Sequence, residues 1–226
     1  MYEISLKIFG ENILINKLNK GDSMDWTTLA SDESIQKIID TFKQQNITVE
    51  VAGSGEEAKQ KALSFIPQGA NVMSMSSVTA DTIGITKEII ESGKYVAVKE
   101  KLKTMDHATQ GKEMKQMGSV PDVGIGSVHA ISEDGHILIA SRSGSQLPAY
   151  TYGASKVILV VGAQKIVKTL QDGIKRVYEH SLPLESVRSK KAYGTDQSYV
   201  NYLLLLNRQD DPNRVHVIIV KEVIGF

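Results

Sequence analysis

The hydrophobic positions of this chain follow two periods that alternate along its length. Ile35, Ile38, Ile39 and Phe42 recur at the spacing of one helix face. The segment 47–51 is short and β-branched, as in a strand. The same two patterns then alternate, with strand-like runs at 71–75, 95–98, 128–131, 136–140 and 157–161 and helix-like runs at 54–66, 83–92, 100–118, 166–177 and 183–193. This alternation predicts one α/β domain with a mostly parallel sheet flanked by helices.

The two ends of the chain depart from the alternation. Two strand-like runs, 202–206 and 215–220, flank the turn-forming sequence 210–213, and we expect them to form an antiparallel C-terminal hairpin. At the other end, only short alternating runs of hydrophobic residues precede Met24. We therefore predict a peripheral extension over residues 1–23 and an α/β domain over residues 24–226.

Composition narrows the classes of function. Lys plus Arg and Asp plus Glu are equal at 26 each, so the chain lacks the cationic excess that captures nucleic acid. It has no cysteine, which excludes disulfides and thiolate-bound zinc or iron–sulfur clusters. No apolar run approaches the ~20 residues of a membrane helix. The first residues do not form a signal-peptide pattern. We expect a cytoplasmic protein without membrane contact.

Two candidate catalytic residues lie around the predicted turn at Asp134. Glu133 suits general-base chemistry, and His129 would lie on the same face of the strand four residues earlier. The alternatives are a solvated turn for Glu133, because Asp-Gly is a strong hairpin signal, and a hydrogen-bonded core histidine for His129. Two such ligands do not make a metal site, so no metal is predicted, and no cofactor is expected.

Small and hydroxyl residues after the predicted strands suggest an anion site. Ligands bind beyond the carboxyl ends of strands in open α/β sheets. Arg142 adds a bidentate donor, and Lys165 ends the central strand. Helix capping, a solvated loop and a surface lysine are the alternatives. The candidate ligand-binding residues are Ser76, Ser77, Thr79, Gly126, Ser127, Arg142, Ser143, Gly144, Ser145 and Lys165.

Three segments, taken together and in order, resemble the lactate-utilisation (LUD) domain family. They are Asn71–Thr79, His129–Gly135 and Lys156–Val167, and the resemblance covers roughly residues 25–226. It implies a fold similar to that of the sugar-phosphate isomerases and CoA transferases. CoA transferases of this superfamily use a glutamate nucleophile, which suggests the same role for Glu133.

The resemblance also suggests two classes of function. One is the binding of a small anionic metabolite, such as a carboxylate, a sugar phosphate or an acyl-CoA, linked to the use of lactate or another organic acid. The other is a non-catalytic accessory subunit of an oxidoreductase complex, beside an iron–sulfur partner. A regulatory module with a decayed site is a third interpretation, and any of these could be a homo-oligomer.

Overall fold

The computed structural model describes residues 5–8, 11–14 and 24–226. Its strands are β1 Ser5–Ile8, β2 Glu11–Leu14, β3 Thr48–Ala52, β4 Asn71–Ser74, β5 Val96–Ala97, β6 Val123–Gly126, β7 Ala130–Ser132, β8 His136–Ser141, β9 Lys156–Gly162, β10 Ile166–Val167, β11 Tyr202–Leu206 and β12 Val215–Val220. Its α-helices are α1 Asp32–Gln44, α2 Gly55–Ser64, α3 Val78–Thr82, α4 Ile85–Glu91, α5 Val98–Lys103, α6 His107–Ser119, α7 Leu170–Arg176 and α8 Leu182–Tyr193.

A six-stranded parallel sheet forms the centre of the molecule, in the order β3-β12-β9-β6-β4-β5. The neighbouring interior strands β12 and β9 are buried along almost their whole length. Alternate residues of β12 enter opposite cores, with Val217 and Ile219 on one face and Ile218 and Val220 on the other. Both faces are therefore covered, which explains why these strands read as continuous apolar runs.

Helices cover both faces of this sheet, as the periodicity predicts. The amphipathic helix α1 begins after Ser31, whose side chain accepts a hydrogen bond from the Ser34 amide. It buries Ile35, Ile38 and Phe42 in the first core, while α2 and α4 contribute to the second. The predicted helix at 83–92 corresponds to α4, which begins after Gly84. This glycine has a φ of 76° and separates α4 from the preceding α3.

A smaller mixed sheet lies beside the first, in the order β10-β7-β8-β11. The strands β7 and β8 form the predicted hairpin, with Gly135 at a φ of 96° in its turn. The mostly parallel α/β architecture is confirmed.

The predicted C-terminal hairpin is wrong. The strand β11 pairs antiparallel with β8 in the smaller sheet, whereas β12 inserts parallel between β3 and β9. Both strands lie at the residues that the sequence predicts. The segment between them connects the smaller sheet, which contains β11, to the larger sheet, which contains β12. The fully apolar β12 gains more from a position covered on both faces than from an exposed hairpin.

The N-terminal strands β1 and β2 pair antiparallel in a separate two-stranded sheet. Residues 1–4, 9–10 and 15–23 lie outside the described residues, so the peripheral extension stays a prediction. None of the helices in the described segments is long and apolar enough to cross a bilayer.

Candidate functional site

A cavity of about 300 Å³ lies where the carboxyl ends of β4 and β6 meet β8 of the smaller sheet. Strand ends supply its floor, the loop after β8 supplies part of its rim, and α8 adds a side wall. The predicted site residues that line it are Ser76, Ser77, Thr79, Ser127, His129, Arg142, Ser143, Ser145 and Lys165. The convergence of strand ends explains why residues so distant in sequence meet here.

Lys165 is the most unusual group of the cavity. It lies in a 3-10 turn directly after β9 and is only 2% exposed. Its ammonium group donates to Thr79 Oγ1 (2.9 Å), Ser127 Oγ (3.1 Å) and the Val128 carbonyl (3.2 Å). Burial, together with the positive charge of Arg176, lowers the pKa of Lys165 to about 7. Near neutral pH this amine is therefore present in both charge states.

Arg176 is a second buried cation, behind the cavity wall. Its Nη1 donates to the His129 carbonyl and to Ser181 Oγ. Its Nε and Nη2 have no hydrogen-bond partner among the described residues. Burial lowers the pKa of Arg176 to about 10, so it stays charged at neutral pH.

In the described part of the chain, neither cation has an acidic partner. Within residues 24–226, no carboxylate lies within ion-pair distance of Lys165 or Arg176. Buried charges are normally paired, because an unpaired charge loses its hydration without compensation. The interior side of the cavity therefore carries positive charge that the described side chains do not neutralise.

His129 is held in one orientation at the cavity wall. Its Nδ1 accepts a hydrogen bond from the Ala140 amide (3.0 Å), so the proton of the neutral ring is assigned to Nε2. Burial lowers the pKa of His129 to about 3, with help from the charges of Lys165 and Arg176. The ring is therefore neutral at pH 7 and can donate a hydrogen bond from Nε2.

Tyr150 explains the glycine at position 126. Its ring is buried, and its hydroxyl lies so close to Gly126 that a Cβ there would approach it to 2.2 Å. Tyr150 lines the cavity and Gly126 does not. Burial raises the pKa of Tyr150, so its hydroxyl stays protonated. The predicted ligand-binding residue Gly126 thus makes room for a phenol.

The loop after β8 forms the exposed rim with Arg142, Ser143 and Ser145. The Ser141 hydroxyl fixes the loop, because it accepts from the Gly144 amide (2.9 Å) and donates to Gln146 Oε1 (3.0 Å). Gly144 itself faces the Tyr202 ring at a φ of 75° and does not line the cavity.

Hydroxyl groups after β4 form the opposite wall. Ser76 Oγ accepts from Lys99 Nζ (3.0 Å), and Lys99 also lines the cavity. Ser77 caps α3 by accepting from the Ala80 amide (3.2 Å), as the capping alternative predicts. Thr79 Oγ1 donates to the Ile224 carbonyl (3.3 Å) and accepts from Lys165.

Glu133 does not reach this cavity. Its buried carboxylate accepts from Lys168 Nζ (2.6 Å) and lies 3.1 Å from Lys37 Nζ, both on exposed side chains. Burial acts to raise the pKa of Glu133, but hydrogen bonds from Lys168, Ser34 and Lys37 outweigh it and hold the pKa below its usual value. The structure thus separates the two predicted catalytic residues, His129 and Glu133.

Several residues of the site could not be predicted from the sequence. Arg176 and Tyr150 lie in short π-helical or helical segments without a motif, and Arg188 lies on α8 in a bidentate pair with Glu185. In the described part of the chain, no three His, Asp or Glu side chains are placed to hold a metal ion.

Comparison with known proteins identifies the family of the chain. The family profile described as the LUD domain matches residues 35–220. Among solved structures, a DUF162 family protein from Deinococcus radiodurans has the same fold, with a TM-score of 0.54 and 16% sequence identity over 85% of this chain and 99% of that one. No curated protein matches the sequence. The profile match spans most of the chain, and the protein therefore belongs to the LUD domain family.

Proposed function

We propose that the protein binds a small anionic metabolite in the cavity beside Lys165. One observation carries this proposal: two buried cations, Lys165 at the cavity and Arg176 behind its wall, have no carboxylate partner among the described residues. Taking an ion out of water costs several kcal/mol unless a counter-charge compensates it. A bound anion would supply that counter-charge, and it would raise the pKa of Lys165 by stabilising the ammonium form.

The size and polarity of the cavity define the ligand class. Its volume of about 300 Å³ is at the small end of ligand sites. Hydroxyls, the Nε2–H of His129 and the rim residue Arg142 offer hydrogen bonds to polar groups. These features fit a short carboxylate, a small sugar phosphate or the acyl end of an acyl-CoA. A role in the use of lactate or another organic acid agrees with this ligand class.

The test is thermal unfolding with a ligand panel of 2-hydroxy acids, 2-oxo acids, sugar phosphates and acyl-CoAs. A ligand at about 100 times its Kd adds about 2.7 kcal/mol to the stability. For a chain of this length that corresponds to a shift of roughly 5–10 °C in Tm. We expect one anionic class to raise the Tm and its neutral amide or alcohol analogues to have no effect.

Two variants make the panel specific to the cavity. Arg142→Ala should weaken binding moderately because Arg142 is on the exposed rim, and Lys165→Met should weaken it about tenfold or more. Equal shifts in all three proteins would mean that the anion binds elsewhere. No shift with any anionic class would overturn the proposal.

A second candidate is an accessory subunit of an oxidoreductase complex. A shallow, mostly apolar depression beside the rim exposes Tyr152 (93%), Val120 (69%) and Tyr202 (52%). Exposed apolar clusters of this kind mark contact surfaces. Val120→Asp should then abolish co-purification with an iron–sulfur partner, whereas Lys165→Met should not. If both variants still co-purify with the partner, this candidate is wrong.

A further inference from the structure

We propose that Lys165 forms a Schiff base with its ligand, so that the metabolite carries a carbonyl group as well as a negative charge. The substrate class is then a 2-oxo acid or a sugar phosphate in its aldehyde or ketone form. This inference rests on the proposed function, since the anion must first enter the cavity.

The surroundings of Nζ fit a nucleophile better than a structural ion pair. Its three hydrogen-bond partners are two hydroxyls and one carbonyl, from Thr79, Ser127 and Val128. No carboxylate within residues 24–226 is near enough to hold the amine in its charged form. Both hydroxyl side chains line the cavity with Lys165, so a ligand in the cavity lies beside the amine.

The charge state of the amine supports the same conclusion. Only the neutral amine has the lone pair that attacks a carbonyl carbon. Burial beside Arg176 lowers the pKa of Lys165 to about 7, so about half of the amine is neutral at pH 7. A lysine with an ordinary pKa is almost entirely protonated at that pH.

The reaction balances without an oxidant or reductant. The Lys165 ammonium first releases a proton, and Nζ then forms a C–N bond to the carbonyl carbon. The carbonyl oxygen becomes the hydroxyl of a carbinolamine and leaves as water when its C–O bond breaks. Overall, the ammonium and the carbonyl compound give a protonated imine and one water, with two of the three ammonium protons in that water. The positive charge stays on Nζ, near the anionic group of the ligand.

Reductive trapping tests the proposal on the unmodified protein. The protein is incubated at pH 7 with sodium cyanoborohydride and one carbonyl probe. The three probes, each in its own incubation, are glyoxylate, pyruvate and glyceraldehyde 3-phosphate. Peptide mass spectrometry then compares alkylation at position 165 with that at position 168. Lys168 is the matched control, since it is nearby in sequence but 70% exposed and paired with Glu133. Acetaldehyde, which has no charge, is the control probe.

We expect at least one anionic probe to alkylate Lys165 about tenfold or more faster than Lys168, because about half of the Lys165 amine is neutral at pH 7 and the cavity holds the probe beside it. Acetaldehyde should give a smaller preference. Lys165→Arg should give no adduct at position 165 with the same probe and should leave the alkylation of Lys168 unchanged.

Two other results are distinguishable. If a probe raises the Tm but Lys165 reacts no faster than Lys168, the Schiff base is wrong and the anion site stands. If none of the three probes alkylates Lys165 selectively and no anion in the ligand panel raises the Tm, both proposals are wrong.

Discussion

At the scale of single residues, the centre of this account is a buried lysine that has no carboxylate partner within residues 24–226. Lys165 is retained in the interior although its charge is costly there. Replacing a buried charge by an apolar side chain of similar length is often neutral or stabilising. Under the proposed function, anion binding rather than stability is the reason for a lysine at this position.

Lys165→Met is therefore expected to separate stability from binding. At pH 6 and without ligand, its Tm should equal or exceed that of the original protein, because the cost of burying the ammonium is removed. Its affinity for the anion should fall about tenfold or more. Thermal unfolding and calorimetric titration measure the two effects. A strongly lowered Tm would instead indicate that Lys165 is a structural residue.

His129 makes a prediction about acid stability. Its pKa is lowered from 6.5 to about 3 in the folded protein, so between these values the unfolded chain binds a proton that the folded protein does not. Its contribution is complete above pH 6.5 and is lost as the pH falls toward 3. His129→Asn can keep the hydrogen bond from Ala140. Between pH 6.5 and 4.5, the free energy of unfolding of this variant should fall by on the order of 1–2 kcal/mol less than that of the original protein. Denaturant unfolding across pH measures this difference, and parallel curves would contradict it.

The sequence predicts only part of the site at this scale. Hydroxyls and Lys165 follow predicted strands, and strand ends converge in an α/β sheet, so their meeting could be foreseen. The roles of Arg176 and Tyr150 could not, because they depend on how helical turns pack against the smaller sheet. The Asp-Gly turn after Glu133 favours the solvated alternative, which is wrong for Glu133, because its carboxylate is buried and paired with Lys168 and Lys37.

At the scale of elements, the turn from β6 into the cavity depends on close packing with Tyr150. Gly126→Ala should destabilise the protein by about 1–3 kcal/mol, because its Cβ would lie 2.2 Å from the Tyr150 hydroxyl and 3.0 Å from Met75 Cβ. Tyr150→Phe removes the closer contact and should recover part of the loss. Chemical denaturation of the two single variants and the double variant measures the coupling, and additive effects would contradict this contact.

The strands themselves illustrate what pattern can and cannot predict. Residues 202–206 and 215–220 are both strands, as their composition indicates. The pairing of these two strands is harder to predict. Their proximity in sequence favours a hairpin, whereas the burial of an apolar strand favours a position inside the large sheet. The uninterrupted apolar pattern of β12 is the signal for a strand covered on both faces. Here that signal outweighs the turn at 210–213.

At the scale of the whole molecule, the described residues form three hydrophobic clusters within residues 24–226, two of which lie on opposite faces of the central sheet. A chain that begins at Met24 should therefore keep its free energy of unfolding within about 1 kcal/mol, because exposed or peripheral changes rarely cost more. Denaturant unfolding of the shortened protein checks this. A loss of several kcal/mol would mean that residues 1–23 belong to the fold.

The most direct test of the anion site is calorimetric titration with the 2-hydroxy acid that gives the largest thermal shift. Such an acid has no carbonyl, so its binding is separate from Schiff-base formation. With the pKa of Lys165 at about 7, its ammonium is mostly present at pH 6 and mostly absent at pH 9. The affinity should fall about tenfold or more between these pH values, and Lys165→Met should bind weakly at both. Equal affinity at pH 6 and pH 9, or unchanged affinity in Lys165→Met, would contradict the account.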